Sequence, residues 1–469
     1  MEKKDIRIST KVLQIISAEQ AYAYRIIPVD SGDKLVFLTD SLSKKALEKE
    51  LEIVLGKEIF LKGEESRCID NYLHRYYRKR EIKNVSLYYS DDFLLNIIHE
   101  AKELGSSDIH FETFEKRNRV RFRIDGKLLE RYIVLNEEYP KIVNRIKIMG
   151  GLDISEKRLP QDGRITIKSS HEDFDIRVSS LPILHGEKLV LRILSKNTLT
   201  TQLNDLGFSK KELKIYESAI RKPNGIVLIS GPTGSGKTTT LYATLKLLNK
   251  DDTNILTIED PVEYTLEGIS QVQLKENIGL DFASTLRAFL RQDPDIIMVG
   301  EIRDVATANM VIRAALTGHL VLSTIHTNSA WATISRLIDM GVPSFLIAST
   351  LNVSVAQRLV RKLCVFCKEK AYVSLENASE ILKISENITS HYKAVGCPNC
   401  HQTGYKGRKA VYEIIEVTKE LIENIQEKKL DISDYLKEKE IRTLKDNALR
   451  LVLEGVTSID EVYPLLIDE

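Results

Sequence analysis

Gly231, Gly236, Lys237 and Thr238 stand in the order G-x-x-x-x-G-K-[ST], directly after the apolar run "GIVLIS" and before a helical pattern. That is the arrangement of a P-loop. Glycines let the backbone curl until successive N–H groups point at a phosphate, and a helix N-terminus adds favourable partial charge. The expected nucleotide-binding loop is Gly231, Pro232, Thr233, Gly234, Ser235, Gly236, Lys237, Thr238 and Thr239. Lys237 would give a point charge to the β and γ phosphates of ATP and Thr238 a hydroxyl to Mg²⁺. Two further segments end in acids: "ILTIED" in Glu259 and Asp260, and "DIIMVGE" in Glu301. Ligands of parallel sheets collect at the C-terminal ends of the strands, so these carboxylates are expected to converge on the nucleotide. Spacing leaves open whether Glu259 or Glu301 orients the attacking water; Glu301 is expected to be essential and Glu259 second. Gly300 stands where many P-loop enzymes carry an Asp, which shifts metal duty to Glu301 acting through water. His326 ends "LVLSTIH" beside Thr324 and Thr327, placed to sense the γ-phosphate, and His319 precedes the same strand.

A second constellation is metallic. Cys364-x-x-Cys367 and Cys397-x-x-Cys400 form two close pairs separated by 29 residues, leaving Cys68 alone. Short turns of this kind suit a tetrahedral four-cysteine Zn²⁺ site, a closed structural site, better than disulfides or free thiols.

These groups need several domains to hold them. The chain has 469 residues, enough for more than one core. With 68 basic and 67 acidic residues it has no whole-chain field for collecting nucleic acid or anionic lipid. The opening "MEKKDIRIST" lacks the apolar stretch of a signal peptide, and no run approaches a membrane span. The chain is therefore expected in the cytoplasm.

Residues 1–80 read as a small N-terminal α/β partner-binding domain, with "YAYRIIPV" alternating like a strand and a basic, aromatic close from His74 to Arg80. "EIKNVSLYYS" reads as a linker. Residues 86–200 form an α+β domain that starts at helix "DDFLLNIIHEAKELG" and contains a hairpin turning at Asp125-Gly126, with Val120, Phe122 and Ile124 inward. Residues 205–362 alternate strand and helix as a parallel sheet with crossovers does. The cysteine subdomain occupies 363–411, and amphipathic helices fill 412–469.

Taken together, "GPTGSGKTTTLY", "ILTIEDPVEY", "RQDPDIIMVGEIRD" and "TGHLVLSTIHTN" resemble the Walker A, Asp box, Walker B and His box of the secretion ATPases. "GSSDIHFE", "RLPQDGRI" and "DIRVSSLP" in the second domain extend the likeness to the type II secretion and type IV pilus assembly ATPases. The resemblance implies a RecA-like ATPase core, a PAS-like second domain and a homohexamer with ATP between them. It implies arginines at the phosphates: Arg164, Arg177 and Arg192 from the second domain, and Arg287 and Arg291, which could act across a subunit boundary. It supports zinc in the cysteine subdomain, and it implies an inner-membrane platform protein and a cytoplasmic-membrane adaptor as partners. The chain would then work at the inner face of the cytoplasmic membrane, coupling hydrolysis to filament assembly and binding no nucleic acid. A pilus retraction ATPase and a RecA-like nucleic-acid translocase are the alternatives. Retraction motors, as the resemblance implies, lack the cysteine subdomain and the extra N-terminal domain, which argues against the first. Balanced charge and 7% aromatic residues argue against the second.

Overall fold

The computed structural model describes residues 8, 10–13, 15–31, 34–77, 93–168, 174–194, 201–372 and 390–467. Gly32-Asp33 of the first turn, Arg78–Arg80 of the basic cluster, the linker at 81–90 and the Asp91-Asp92 cap lie outside them.

The N-terminal unit is a three-stranded sheet of β1 (Ile26–Ser31), β2 (Leu35–Thr39) and β3 (Ile59–Gly63), packed by helices over Phe37, Leu38 and Leu51. "YAYRIIPV" is only partly a strand, because Ala18–Tyr24 is a helix. Its start is fixed by a capping box in which Ser17 Oγ accepts from Gln20 N at 3.1 Å and Gln20 Oε1 accepts from Ser17 N at 2.8 Å.

The second unit is an antiparallel sheet of β4 (Ser106–Thr113), β5 (Asn118–Ile124), β6 (Lys127–Val134), β7 (Gln161–Ile167), β8 (Phe174–Ile183) and β9 (Gly186–Leu194), ordered β6-β5-β4-β9-β8-β7. Phe111, Val120, Phe122, Ile176 and Leu191 meet the helices Phe93–Glu103 and Tyr139–Met149 on one face. Each such fully buried side chain contributes roughly 1.5–3 kcal/mol. The expected hairpin is β5–β6, with Asp125 and Gly126 both at positive φ (48° and 83°). The other face carries ion pairs. Glu112 on β4 accepts from Arg121 at 2.7 Å, Arg119 at 2.8 Å and Lys188 at 3.1 Å. Burial alone would raise its pKa, but these three donors outweigh it and hold the carboxyl at about 2.

The third unit is a seven-stranded sheet. Its members are β10 (Gly225–Ser230), β11 (Ile255–Glu259), β12 (Ser270–Gln273), β13 (Ile296–Val299), β14 (Leu320–Ile325), β15 (Leu351–Leu363) and, beyond a small two-stranded pair, β18 (Tyr405–Glu416). The pair is β16 (Glu369–Tyr372) and β17 (Ser390–Lys393). The order β12-β11-β13-β14-β10-β15-β18 is parallel up to β15, and β18 closes the edge antiparallel to it. Helices Lys210–Ile220 and Lys237–Leu248 cover one face, and Phe282–Phe289, Val305–Leu316, Ala332–Asp339 and the C-terminal helices cover the other. Both faces are thus dry over β10, β11, β13 and β14, and these strands read as near-continuous apolar runs. The cysteine segment hangs from the far ends of β15 and β18.

Among the described residues, hydrogen bonds join the second unit to the third. Arg177 on β8 donates to Val262 O and lies 3.5 Å from Glu263, while Asp125 accepts from Gly407 N at 2.7 Å.

Candidate nucleotide site and cysteine cluster

The P-loop runs from the end of β10 into helix Lys237–Leu248, with Gly231, Gly234 and Gly236 at φ of 148°, 81° and 90°. Two of these glycines also allow close packing. A Cβ on Gly231 would lie 2.5 Å from Gln357 O, and one on Gly236 would lie 2.8 Å from Gln357 Nε2. Gln357 on β15, which the sequence reading does not single out, braces the loop: its Nε2 donates to Ser235 O and its Oε1 accepts from Thr240 Oγ1, both at 2.9 Å. Replacing Gln357 with Ala removes the donor to Ser235 O and leaves the Thr240 hydroxyl with its longer bond to Gly236 O at 3.4 Å, and is expected to cost about 1–3 kcal/mol of stability. A thermal melt and the ATP KM, expected several-fold higher, check this.

Lys237 Nζ donates to Gly231 O at 2.7 Å and Pro232 O at 3.1 Å. Burial pulls its pKa down, and neighbouring Arg358 adds to this while Glu301 opposes it. Among the described residues the half-buried ammonium bonds to carbonyls, where a phosphate oxygen is the better partner. Arg358 on β15 adds positive charge, held by Gln357 O at 3.1 Å and Asn328 O at 2.9 Å.

Glu301 follows β13, the neighbour of β14, which in turn neighbours β10. Its Oε2 lies 3.2 Å from His326 Nε2 at the end of β14, and its Oε1 is gripped by Arg303. The same Arg303 reaches Asp260 at 3.4 Å, so one guanidinium ties the ends of β11 and β13 together. Its contact with Glu301 is the main reason its own pKa is raised. Lys237, Glu301, His326, Arg303 and Asp260 therefore gather where adjacent parallel strands end. Arg303 was legible in principle, two residues past Glu301 in "GEIRD". Gly300 packs tightly against β11, donating to Ile258 O at 2.8 Å.

Glu259 is not brought to this cluster. It is 3% exposed, and its oxygens accept from Thr257 at 2.6 Å, Gln271 at 3.1 Å and Tyr242. His319 bonds its own turn at Ala314 O, 2.9 Å away. Of the arginines, Arg177 reaches the third unit beside the Asp box. Arg164 pairs with Asp175 at 2.5 Å and Arg192 with Asp108 at 2.9 Å, both largely exposed. Arg287 and Arg291 stand exposed at the end of helix Phe282–Phe289, Arg291 donating to Arg287 O at 2.8 Å. Thr238 lies exposed in the first turn of its helix, open to a hydrated cation.

The four cysteines of the two pairs lie with all their Sγ atoms within 4.8 Å of one another. Neighbouring sulfurs stand 3.7–3.8 Å apart. That is too far for a disulfide, whose sulfurs lie about 2.05 Å apart. It matches the edge of a tetrahedron with metal–sulfur bonds of about 2.3 Å, which is about 3.8 Å. Backbone amides are aimed at the sulfurs: Gly396 N at Cys367, and Cys397 N and Gly404 N at Cys400, at 3.1–3.3 Å. The set can hold a metal ion. His401 follows the last cysteine at positive φ (51°), completing the turn.

Among the described residues no helix is long and apolar enough to cross a membrane. The family model of type II/IV secretion system proteins matches residues 89–464. A putative type II secretion system protein E of Escherichia coli strain K12 is 49% identical over 371 residues, 78% of this chain and 74% of the relative. The type IV pilus assembly ATPase PilB of Myxococcus xanthus is 41% identical over 502 aligned positions, 98% of this chain and 87% of the relative. Among solved structures, the pilus retraction motor PilT with bound ADP superposes with a TM-score of 0.55 at 26% identity, over 80% of this chain and 97% of PilT. Matched along most of its length in both sequence and fold, the chain belongs to the type II/IV secretion system protein family and is an ATPase.

Proposed function

We propose that the chain is the hexameric motor of a type II secretion or type IV pilus machine, cleaving ATP to drive filament assembly through an inner-membrane platform protein. The observation that carries this is the seat of the Asp box: it lies between the nucleotide site and Arg177 of the second unit, so occupancy can change how the two units sit. The third unit is the RecA-like core and the second the PAS-like domain. Lys237 leaves its two carbonyls for the β and γ phosphates, and Thr238 holds Mg²⁺, which neutralises phosphate charge when bound. Glu301 orients the attacking water and accepts its proton, with His326 beside it sensing the γ-phosphate. Closing the second unit brings Arg177 and Arg164 toward the phosphates; Arg287 and Arg291 serve the site across a subunit boundary. Reopening after release moves neighbouring subunits as rigid bodies.

The cysteine cluster holds Zn²⁺ and presents its lobe to the platform protein. The N-terminal unit grips a membrane adaptor, so the motor works at the inner face of the cytoplasmic membrane without nucleic acid. Light scattering and ATP turnover on the purified chain test the reading. A hexamer whose turnover rises on assembly and with the platform's cytoplasmic domain is expected. A fully active monomer, or hydrolysis stimulated by DNA with a steep salt dependence, would overturn it.

A further inference from the structure

Tyr242 lies in the nucleotide-binding helix, four residues beyond Thr238 and about 6 Å along the axis. It is fully buried, and its ring meets Tyr264 edge-on at 4.6 Å. The phenol donates to Glu259 and accepts from the backbone N–H of Glu263 at 3.3 Å. Gln271 Nε2 stands 3.4 Å from the same oxygen and 3.1 Å from Glu259. Burial first, and then the Glu259 carboxylate, push the phenol pKa far up, so this hydroxyl keeps its proton. On the other side of the same short segment, Arg177 holds Val262 O and lies 3.5 Å from the Glu263 carboxylate. The Asp-box segment is therefore clamped from two sides, by the helix that starts at the phosphate loop and by the second unit.

We propose that Tyr242 is a positioning residue for ATP hydrolysis: its hydroxyl fixes residues 260–264 where Arg177 grips them, and so couples nucleotide at the head of the helix to the second unit. A phosphate that draws Lys237 and Thr238 moves a rigid helix, and the phenol carries that displacement to the Glu263 amide. The carboxylate of Glu259 acts through the phenol, holding its hydroxyl in one orientation. A purely structural tyrosine would show no energetic link to Arg177, which it does not touch, and spatial intermediacy alone establishes no coupling.

The test is a double-mutant cycle in the full chain, with kcat and ATP KM measured for wild type, Tyr242→Phe, Arg177→Ala and the double variant. The Phe variant keeps the ring on Tyr264 and loses only the hydroxyl. It is expected to lower kcat about 5- to 20-fold with KM within about two-fold, and to add less than about two-fold to Arg177→Ala. Effects that multiply, or an unchanged kcat in Tyr242→Phe, overturn the proposal. Should the Phe variant not fold, hydrogen exchange on the wild type decides. A non-hydrolysable ATP analogue must change exchange in 260–264 and in β8 together, and a change in one without the other overturns it. The inference rests on turnover at the Lys237 site. Failure of that site shows as an active Lys237→Ala variant, whereas failure of the coupling leaves Lys237→Ala inactive and the cycle additive.

Discussion

Glu301→Gln is expected to lower kcat by about 10²- to 10⁴-fold while ATP still binds. The substitution keeps the shape and one oxygen but removes the capacity to take a proton from water. Its surroundings make the effect specific. Arg303 on one oxygen and His326 on the other fix the carboxylate's orientation, so the amide will sit in nearly the same place. With an arginine, a lysine and a histidine nearby, the lost negative charge also frees Arg303 toward Asp260, 3.4 Å away. Lys237→Ala should look different, because it removes the charge meant for the β and γ phosphates and leaves the loop carbonyls Gly231 O and Pro232 O without their donor. There nucleotide binding itself fails. Steady-state kinetics with binding of a fluorescent ATP analogue separates the two: retained affinity with lost turnover for Glu301→Gln, lost affinity for Lys237→Ala. A Glu301→Gln protein that turns over at the wild-type rate removes Glu301 from the chemistry.

The contrast between Glu301 and Glu259 shows where sequence reading stops. The glycine-rich turn after β10 was legible because its geometry is local: glycines at positive φ, a lysine and a hydroxyl within eight consecutive residues between a strand and a helix. The strand ends were legible for the same reason, as was the Asp125-Gly126 hairpin. Which way a strand-end acid points is not local. β11 is buried on both faces, so its residues give no alternation from which to tell that Glu259 faces helix Lys237–Leu248. Only the packing of that helix, through Tyr242, decides it. The same limit hides β4, buried on both faces, and β15, whose Gln357 matters through contacts with a loop more than a hundred residues earlier. The helix at Ala18–Tyr24 was misread because its tyrosines and alanines alternate like a strand, while the capping box that starts it needs Ser17 and Gln20 read together.

Removing metal from the cysteine cluster is the other change with a large expected effect, and its reach follows from what hangs on the cluster. Purified chain is expected to carry about one zinc, and its loss removes apparent binding free energy of about 10–16 kcal/mol at pH 7. The cluster closes the open end of the β15–β18 hairpin, whose last pair is Leu363 with Tyr405. The C-terminal helix docks on that same end: Arg361 bonds Glu461 at 2.9 Å, Leu363 N donates to Val456 O at 2.8 Å, and Tyr405 and Ser458 share a 2.6 Å hydrogen bond. Among the described residues around the sulfurs few large apolar side chains are buried, Val365 and Phe366 being exposed, so the metal is expected to carry the lobe's stability. Cys400→Ser, or a strong chelator, should therefore open the lobe between Leu363 and Tyr405 and loosen helix Ile459–Ile467. The parallel sheet, with its own two apolar faces, should stay folded. Limited proteolysis should cut in 364–404 first, and metal analysis should track the cutting. A chain with far less than one zinc, or one whose protease pattern ignores the chelator, would show that the four sulfurs hold the lobe together without a metal.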